Sequence, residues 1–366
     1  MVDFPGNCRT TAMGIMPHKD IDKALELAMS LDVPFWPQLP HVSYYEDMYA
    51  QASQNFPGII IDLKNQKISF NSAKFAAELP GYSEKMADDA TFTLNDVYST
   101  CYHRFLSMDL NKYPAIRGQV IGPVSFGFKV FDENNVPIIY NDNVRTILYD
   151  FISRKINVQD AELKKKNKHA FVWLDEPGLG WVFSGLSGYD DIIAKREYND
   201  FLKSLSSPGA LHLCANVNLP YLLSMGIKLL SFDAYQIEIM PKGYAAAIAG
   251  FIKNDGIIAW GIVPTDSTSM SNVNPQMLSE LVRNYWSVVA ANSDVTVKQI
   301  AQQALLAPAR CCLKNMGQVG AFNEPPTKDK NYALHPEESL VEQAFEYLKT
   351  ISQNLKDEFG LALNSD

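Results

Sequence analysis

From about residue 115 onward, short apolar runs alternate with longer amphipathic stretches, and this alternation most narrows the possible folds. The apolar runs cover residues 116–124, 170–174, 210–214, 228–232, 257–262 and 304–309. The helical candidates cover residues 143–166, 189–205, 240–253, 275–293 and 336–356. Short apolar strands joined by helical crossovers are typical of an α/β fold with a parallel sheet.

The domain organisation follows from length and from the absence of linkers. At 366 residues the chain could form one barrel of alternating strands and helices. It has no repeat, low-complexity tract or Gly/Ser linker, so we predict a single domain over residues 1–366. The first hundred residues are less regular: we predict a strand over 9–16, a helix over 20–31, and a hairpin insertion near the barrel mouth over 58–70.

Composition excludes some classes of function. Hydrophobic residues make up 47% of the chain and charged residues 20%, as in globular proteins with a buried core. The net charge of -9 offers no positive field for nucleic acid. No stretch approaches the roughly 18 apolar residues of a membrane helix, and the N-terminus does not resemble a signal peptide, so we expect a cytoplasmic protein. Five sparse cysteines are then free, catalytic or metal-bound.

Residues with metal-binding side chains follow two of the predicted strands. His212 and Cys214 are two apart at the end of a run, so both side chains point to one face of the strand. Cys311 and Cys312 follow the run 304–309, and a closed barrel brings its strand ends to one mouth. One imidazole and two thiolates form a zinc site with a fourth position for substrate. On these residues alone, the cysteines could instead be small apolar core residues.

Four motifs resemble those of a known family, in the same order. TTAMGIMPH, WLDEPGLG, HLC and CCLK are similar to motifs of the catalytic barrel of cobalamin-independent methionine synthases and of single-barrel relatives in the superfamily with uroporphyrinogen decarboxylase. The resemblance covers most of residues 10–314. It implies a TIM (β/α)8 barrel, here with an N-terminal extension and the small hairpin, and a zinc ion held by His212, Cys214 and Cys311.

The resemblance also implies a further zinc ligand and two acidic substrate contacts. Asp233 stands where the synthases carry a glutamate ligand, with a helix-capping role as the alternative. Asp175 would bind the amino group of homocysteine, with Glu176 beside it in the substrate site. Capping of the following helix is the alternative for one of these two acids.

Two other segments complete the implied site. The backbone of Met13, Gly14 and Ile15 would contact the carboxylate end of the substrate, and glycine permits such close approach. Asp266 lies where the family places a histidine near the substrate. An ionised carboxylate cannot donate a proton, which puts in doubt any catalytic role that Asp266 takes over from that histidine.

The resemblance implies a zinc-dependent methyltransferase that transfers a methyl group to the thiol of homocysteine and forms methionine. We expect a methylated corrinoid as the donor, because full-length synthases carry a further N-terminal barrel for methyl-folate that is not present in this sequence. The chain has no Asp-x-His-x-x-Gly motif for cobalamin, so the corrinoid would arrive free or on a carrier protein.

Three other functions are possible. The acceptor could be another thiol such as coenzyme M, although a sulfonate would need cationic contacts in place of Asp175 and Asp266. A metal-free enzyme resembling uroporphyrinogen decarboxylase would need an arginine-rich N-terminal motif, where this chain has only Arg9 and Lys19. The third is a non-catalytic module that binds a corrinoid carrier.

Overall fold

The computed structural model describes residues 4–182, 185, 187–214, 218–291, 293–312 and 337–361. The strands within these ranges are β1 Arg9–Thr10, β2 Ile59–Asp62, β3 Lys67–Phe70, β4 Arg117–Ile121, β5 Phe171–Asp175, β6 Ala210–Leu213, β7 Leu229–Asp233, β8 Ile257–Val263 and β9 Ala304–Pro308. The helices are α1 Ile21–Met29, α2 Met48–Ser53, α3 Ser72–Lys85, α4 Thr100–Ser107, α5 Pro123–Lys129, α6 Asp142–Lys164, α7 Leu179–Val182, α8 Asp191–Ser204, α9 Leu219–Leu223, α10 Lys242–Lys253, α11 Ser267–Ser271, α12 Pro275–Ala291, α13 Val297–Gln302 and α14 Glu337–Phe359.

Seven strands form one parallel sheet in the order β1-β9-β8-β7-β6-β5-β4. Strands β4 to β9 are buried along their whole length, because helices cover the outer face while side chains from opposite strands fill the inner one. The inner cluster includes Phe171, Trp173 and Leu305. Most of these strands therefore consist largely of apolar residues, which is why the runs were recognisable in the sequence.

The sheet curls, but its ladder does not close. Residues 33–38 lie in the gap between β1 and β4 and make isolated parallel bridges at Ile15–Gln38 and Phe35–Arg117. The Arg117 amide donates to Pro34 at 3.0 Å, and the Gln38 amide donates to Gly14 at 2.8 Å. The arrangement is an α/β fold with a curled parallel sheet of seven strands, consistent with a TIM-type barrel.

The predicted elements beyond residue 115 are confirmed to within a few residues. The predicted strand over 116–124 is shorter, because Gly122 and Pro123 begin α5. The predicted helix over 336–356 begins at Glu337, and residue 336 lies outside the described residues.

The irregular first hundred residues agree in part with the prediction. The hairpin is confirmed as the antiparallel pair β2–β3, and Phe70 donates to Phe131, which follows α5. Helix α1 begins after Asp20, whose side chain caps it. The strand predicted over 9–16 is too long, since only Arg9 and Thr10 pair in the ladder. In the described ranges, no helix has the length and apolar character needed to cross a bilayer.

Candidate functional site

The carboxyl ends of three neighbouring strands bring polar side chains together. The strand register pairs Asp175 at the end of β5 with His212 on β6, and pairs His212 with Ser231 on β7. Residues paired in a parallel ladder project to the same face of the sheet. Asp175, His212 and Ser231 therefore form a polar row at the end of an otherwise apolar sheet.

His212 is buried and held in one orientation. Its Nδ1 lies 3.0 Å from the Ser231 hydroxyl, and its ring meets the edge of Trp173 with centroids 5.7 Å apart. Its Nε2 has no hydrogen-bond partner among the residues that the structure describes. A donor hydrogen bond from Nδ1 to a neighbour leaves Nε2 as the free lone pair, which is the usual arrangement of a metal-ligating histidine.

Cys214 and Cys311 meet directly, although 97 residues separate them in the chain. Cys311 donates to the Cys214 sulfur, so the pKa of Cys214 lies well below that of an ordinary thiol, and His212 lowers it further. The pKa of Cys311 is raised well above its ordinary value by this hydrogen bond and by burial. Of the two thiols, Cys214 is therefore the one that ionises more readily. Cys312 is buried beside them, and burial raises the pKa of its thiol to about 12.

The donor set suits zinc, but the ligands are not preassembled. Within the described ranges, no three histidine, cysteine, aspartate or glutamate side chains are arranged to hold a metal ion. However, His212 has a free buried Nε2, and Cys214 interacts with both His212 and Cys311. One imidazole and two sulfurs are ligands that zinc prefers. Zinc binding would require movement of these side chains.

Asp233, the expected further ligand, is bound by another side chain. One carboxylate oxygen accepts from Arg310 Nε at 2.8 Å, and the other accepts from the Gln236 amide at 3.3 Å. Burial raises the pKa of Asp233, while Arg310 opposes the rise. The carboxylate closes a turn rather than capping a helix, since α10 begins only at Lys242.

Asp175 lies at the other end of the polar row with its carboxylate unpaired. It is buried, and no hydrogen bond to its carboxylate comes from another described residue. Burial raises the pKa of Asp175 to about 6, and the charges of His212 and Arg117 limit the rise. A buried carboxylate without a donor is suited to a ligand that carries a positive charge.

The raised pKa of Asp175 makes a pH-dependent prediction. Between about pH 4 and 6, the folded protein keeps a proton on Asp175 that the unfolded chain has already released. The free energy of unfolding of the wild type therefore falls as the pH rises through that range. We expect metal-free Asp175→Asn protein to be more stable than wild type by about 1–3 kcal/mol at pH 8. Urea unfolding should show this difference vanishing below about pH 4. An equal difference at both pH values would contradict the assignment.

The carboxylate of Glu176 is already hydrogen-bonded to other residues of the protein. Its carboxylate accepts from the amides of Val124 at 3.2 Å and Ser125 at 2.9 Å, and from the Ser125 hydroxyl at 2.6 Å. These amides are free donors in the first turn of α5, so Glu176 caps that helix across the sheet. Burial raises the pKa of Glu176 to about 7, against the effect of these hydrogen bonds.

The remaining expected site residues make contacts within the protein or face solvent. Met13, Gly14 and Ile15 are buried, and a Cβ on Gly14 would lie 2.4 Å from the Gln119 side chain, so glycine is needed for a contact within the protein. Asp266 is exposed and caps α11 by accepting from the Ser269 amide at 2.8 Å. In the CCLK motif, Leu313 and Lys314 lie outside the described residues.

Arg117 is a site neighbour that the sequence analysis overlooked. Its guanidinium lies between the rings of Phe35 and Trp173, at 4.7 and 4.5 Å from their centroids, and one of its nitrogens has no partner among the described side chains. Burial lowers its pKa to about 9, while Asp175 and Cys311 oppose the fall. A lone arginine within the apolar run 116–124 was the available signal.

Comparisons with known proteins add a weak likeness of fold. No protein-family profile matches the chain, and no curated protein matches it. One similar solved structure is a B12-independent methionine synthase from a Shewanella species, in complex with selenomethionine. It shares 11% identity with a TM-score of 0.43, and the match covers 68% of this chain and 64% of that one. A likeness this weak carries no conclusion about activity.

Proposed function

We propose that this protein is a zinc-dependent methyltransferase that methylates the thiol of homocysteine. The observation that carries the proposal is the meeting of Cys214 with both His212 and Cys311, one strand away from the unpaired carboxylate of Asp175. The first group provides soft metal ligands, and the second provides a counter-charge for an amino acid. Asp233 stays with Arg310 in this proposal, which leaves the fourth zinc position for the substrate sulfur.

In this proposal the zinc ligands activate the substrate thiol, and Asp175 orients the substrate. Bound zinc would lower the pKa of the substrate thiol, so that the thiolate persists at neutral pH. Ser231 holds the His212 ring at Nδ1, and Nε2 stays without a partner among the described residues. Asp175 would accept hydrogen bonds from the substrate ammonium group. These bonds would replace the hydrogen bonds to water that the carboxylate loses on burial. The substrate would thus be fixed at two points, its sulfur and its nitrogen.

The methyl donor in this proposal is a methylated corrinoid, free or on a carrier protein. The corrinoid would supply the methyl group to the substrate sulfur, and its cobalt would keep the electron pair of the bond that is broken. The thiol proton would pass to solvent before this transfer. The methyl group on cobalt leaves readily, so little activation of the donor by side chains is needed.

An assay of methionine formation tests the proposal. We expect zinc-loaded protein to form methionine from homocysteine and methylcobalamin, and Asp175→Asn protein to lose at least about tenfold in kcat/KM, because the ammonium group loses its charged partner. Parallel reactions should replace homocysteine by coenzyme M, and methylcobalamin by methyl-folate. Product with methyl-folate alone would overturn the donor, product with coenzyme M alone would overturn the acceptor, and no methylated thiol with any pair would overturn the proposed function.

A further inference from the structure

A cavity lies outside the sheet, where residues 33–38 separate from β4. Pairing between them stops at the Phe35–Arg117 bridge, and α2, α4 and α6 cover the opening. The enclosed volume is only about 20 Å³, so the cavity admits a ligand of very few atoms. None of the described residues in the candidate zinc site lines this cavity. Gln119 borders it, and its side chain donates to the Trp36 carbonyl at 2.8 Å.

Lys155 on α6 lines the cavity and has no counter-charge. The side chain is only 5% exposed, its ammonium group lies 5.4 Å from the centre of the Phe151 ring, and no carboxylate or hydrogen-bond acceptor among the described residues pairs with it. Burial lowers its pKa to about 7. Glu162 lines the same cavity but accepts from the Tyr102 hydroxyl at 2.5 Å. A buried cation is costly unless an anion or several acceptors surround it.

Three further buried polar atoms in the lining have no partner among the described residues. They are one donor, Trp36 Nε1, and two acceptors, the side-chain oxygens of Gln38 and Gln159. The orientation of Gln38 is set by its neighbour, since its Nε2 donates to Gln51 Oε1 at 2.7 Å while Gln51 Nε2 donates to the Tyr98 carbonyl at 2.9 Å. Unpaired polar atoms are rare in protein interiors, and three of them around one cavity, beside a lysine without a counter-charge, point to a ligand.

We propose that this cavity binds a very small carboxylic acid that also carries an N–H or O–H donor, of the size of glycine or glycolate. The carboxylate would pair with Lys155 and accept from Trp36 Nε1. The amino or hydroxyl group would donate to the side-chain oxygens of Gln38 and Gln159. Binding is non-covalent, and this site is independent of the proposed methyltransferase activity.

Titration calorimetry on the full chain tests the site. Glycine and glycolate should each saturate the site at ligand concentrations below about 10 mM. Acetate should bind more weakly, because it has no donor for the two glutamines. Lys155→Met, which keeps the length of the side chain and removes the charge, should weaken binding by at least about tenfold. Lys203→Met, on an exposed lysine of α8, is the matched control and should bind as wild type does.

Two more variants show whether the acid binds in this cavity. Trp36→Phe keeps a ring and removes the N–H, so it should weaken binding a few-fold even if Lys155→Met folds poorly. Asp175→Asn should not change binding, since Asp175 belongs to the candidate zinc site. No saturable binding of either acid would show that water alone satisfies these atoms, and equal binding by wild type and both cavity variants would place the ligand elsewhere. Either result overturns the proposal.

Discussion

Cys214→Ser protein is expected to retain less than about a tenth of the zinc bound by wild type, with an affinity lower by more than about 100-fold. Cys214 interacts with both other proposed ligands, so its loss removes the residue that joins His212 to Cys311. Even changes beyond the direct ligands cost about 10–100-fold in metal affinity, and a serine hydroxyl replaces a thiolate poorly. Elemental analysis and competition with a chelator measure both quantities.

The matched control is Cys312→Ser. It makes the same chemical change one residue from Cys311, at a buried thiol that is not among the proposed ligands. We expect this variant to keep its zinc and to lose about 1–2 kcal/mol of stability from the buried hydroxyl. If folded Cys214→Ser protein kept wild-type zinc affinity, or if both variants lost zinc equally, these three side chains would not be the metal centre.

Gly122→Ala is expected to reduce the free energy of unfolding by about 2–4 kcal/mol. A Cβ at this position would lie 2.1 Å from the Glu176 carboxylate, so Glu176 would have to move. It would then lose its hydrogen bonds to Val124 and Ser125 and leave the first turn of α5 uncapped. Urea unfolding of both proteins gives the difference.

Gly243→Ala provides the control for this substitution. Gly243 lies on α10, is exposed, and has no atom within 4 Å of a Cβ built on it. Alanine there should stabilise the protein by about 0.5–1 kcal/mol through its better helix propensity. Equal stability of Gly122→Ala and wild type would show that the contact between Gly122 and Glu176 is loose, and that α5 does not depend on the Glu176 cap.

The sheet was predictable because its strands are buried on both faces. Such strands appear as continuous apolar runs, which differ from the periodic pattern of amphipathic helices. The run 257–262 corresponds to β8 almost residue for residue. The first hundred residues gave weaker signals. Residues 33–38 make only isolated bridges, and the ladder of β1 is two residues long, so these segments depend on tertiary contacts more than on local pattern.

The site was predictable only for residues that follow directly after recognisable strands. His212, Cys214 and Cys311 could be grouped because parallel strands end at one edge of the sheet. The partner of Glu176 could not be predicted, since the helix that it caps precedes it in the chain, and Val124, whose amide donates to it, lies 52 residues earlier. The pair of Asp233 with Arg310 has the same origin, a contact across 77 residues that no local pattern reveals.

The most direct test of the zinc site is X-ray absorption at the zinc edge of the purified, zinc-loaded protein. The proposed ligands predict two sulfur neighbours at about 2.3 Å and at least one nitrogen neighbour at about 2.0–2.1 Å. Addition of homocysteine should add a third sulfur, and Cys214→Ser protein should have one sulfur fewer. A spectrum with only nitrogen and oxygen neighbours, unchanged by homocysteine, would contradict the proposed zinc site.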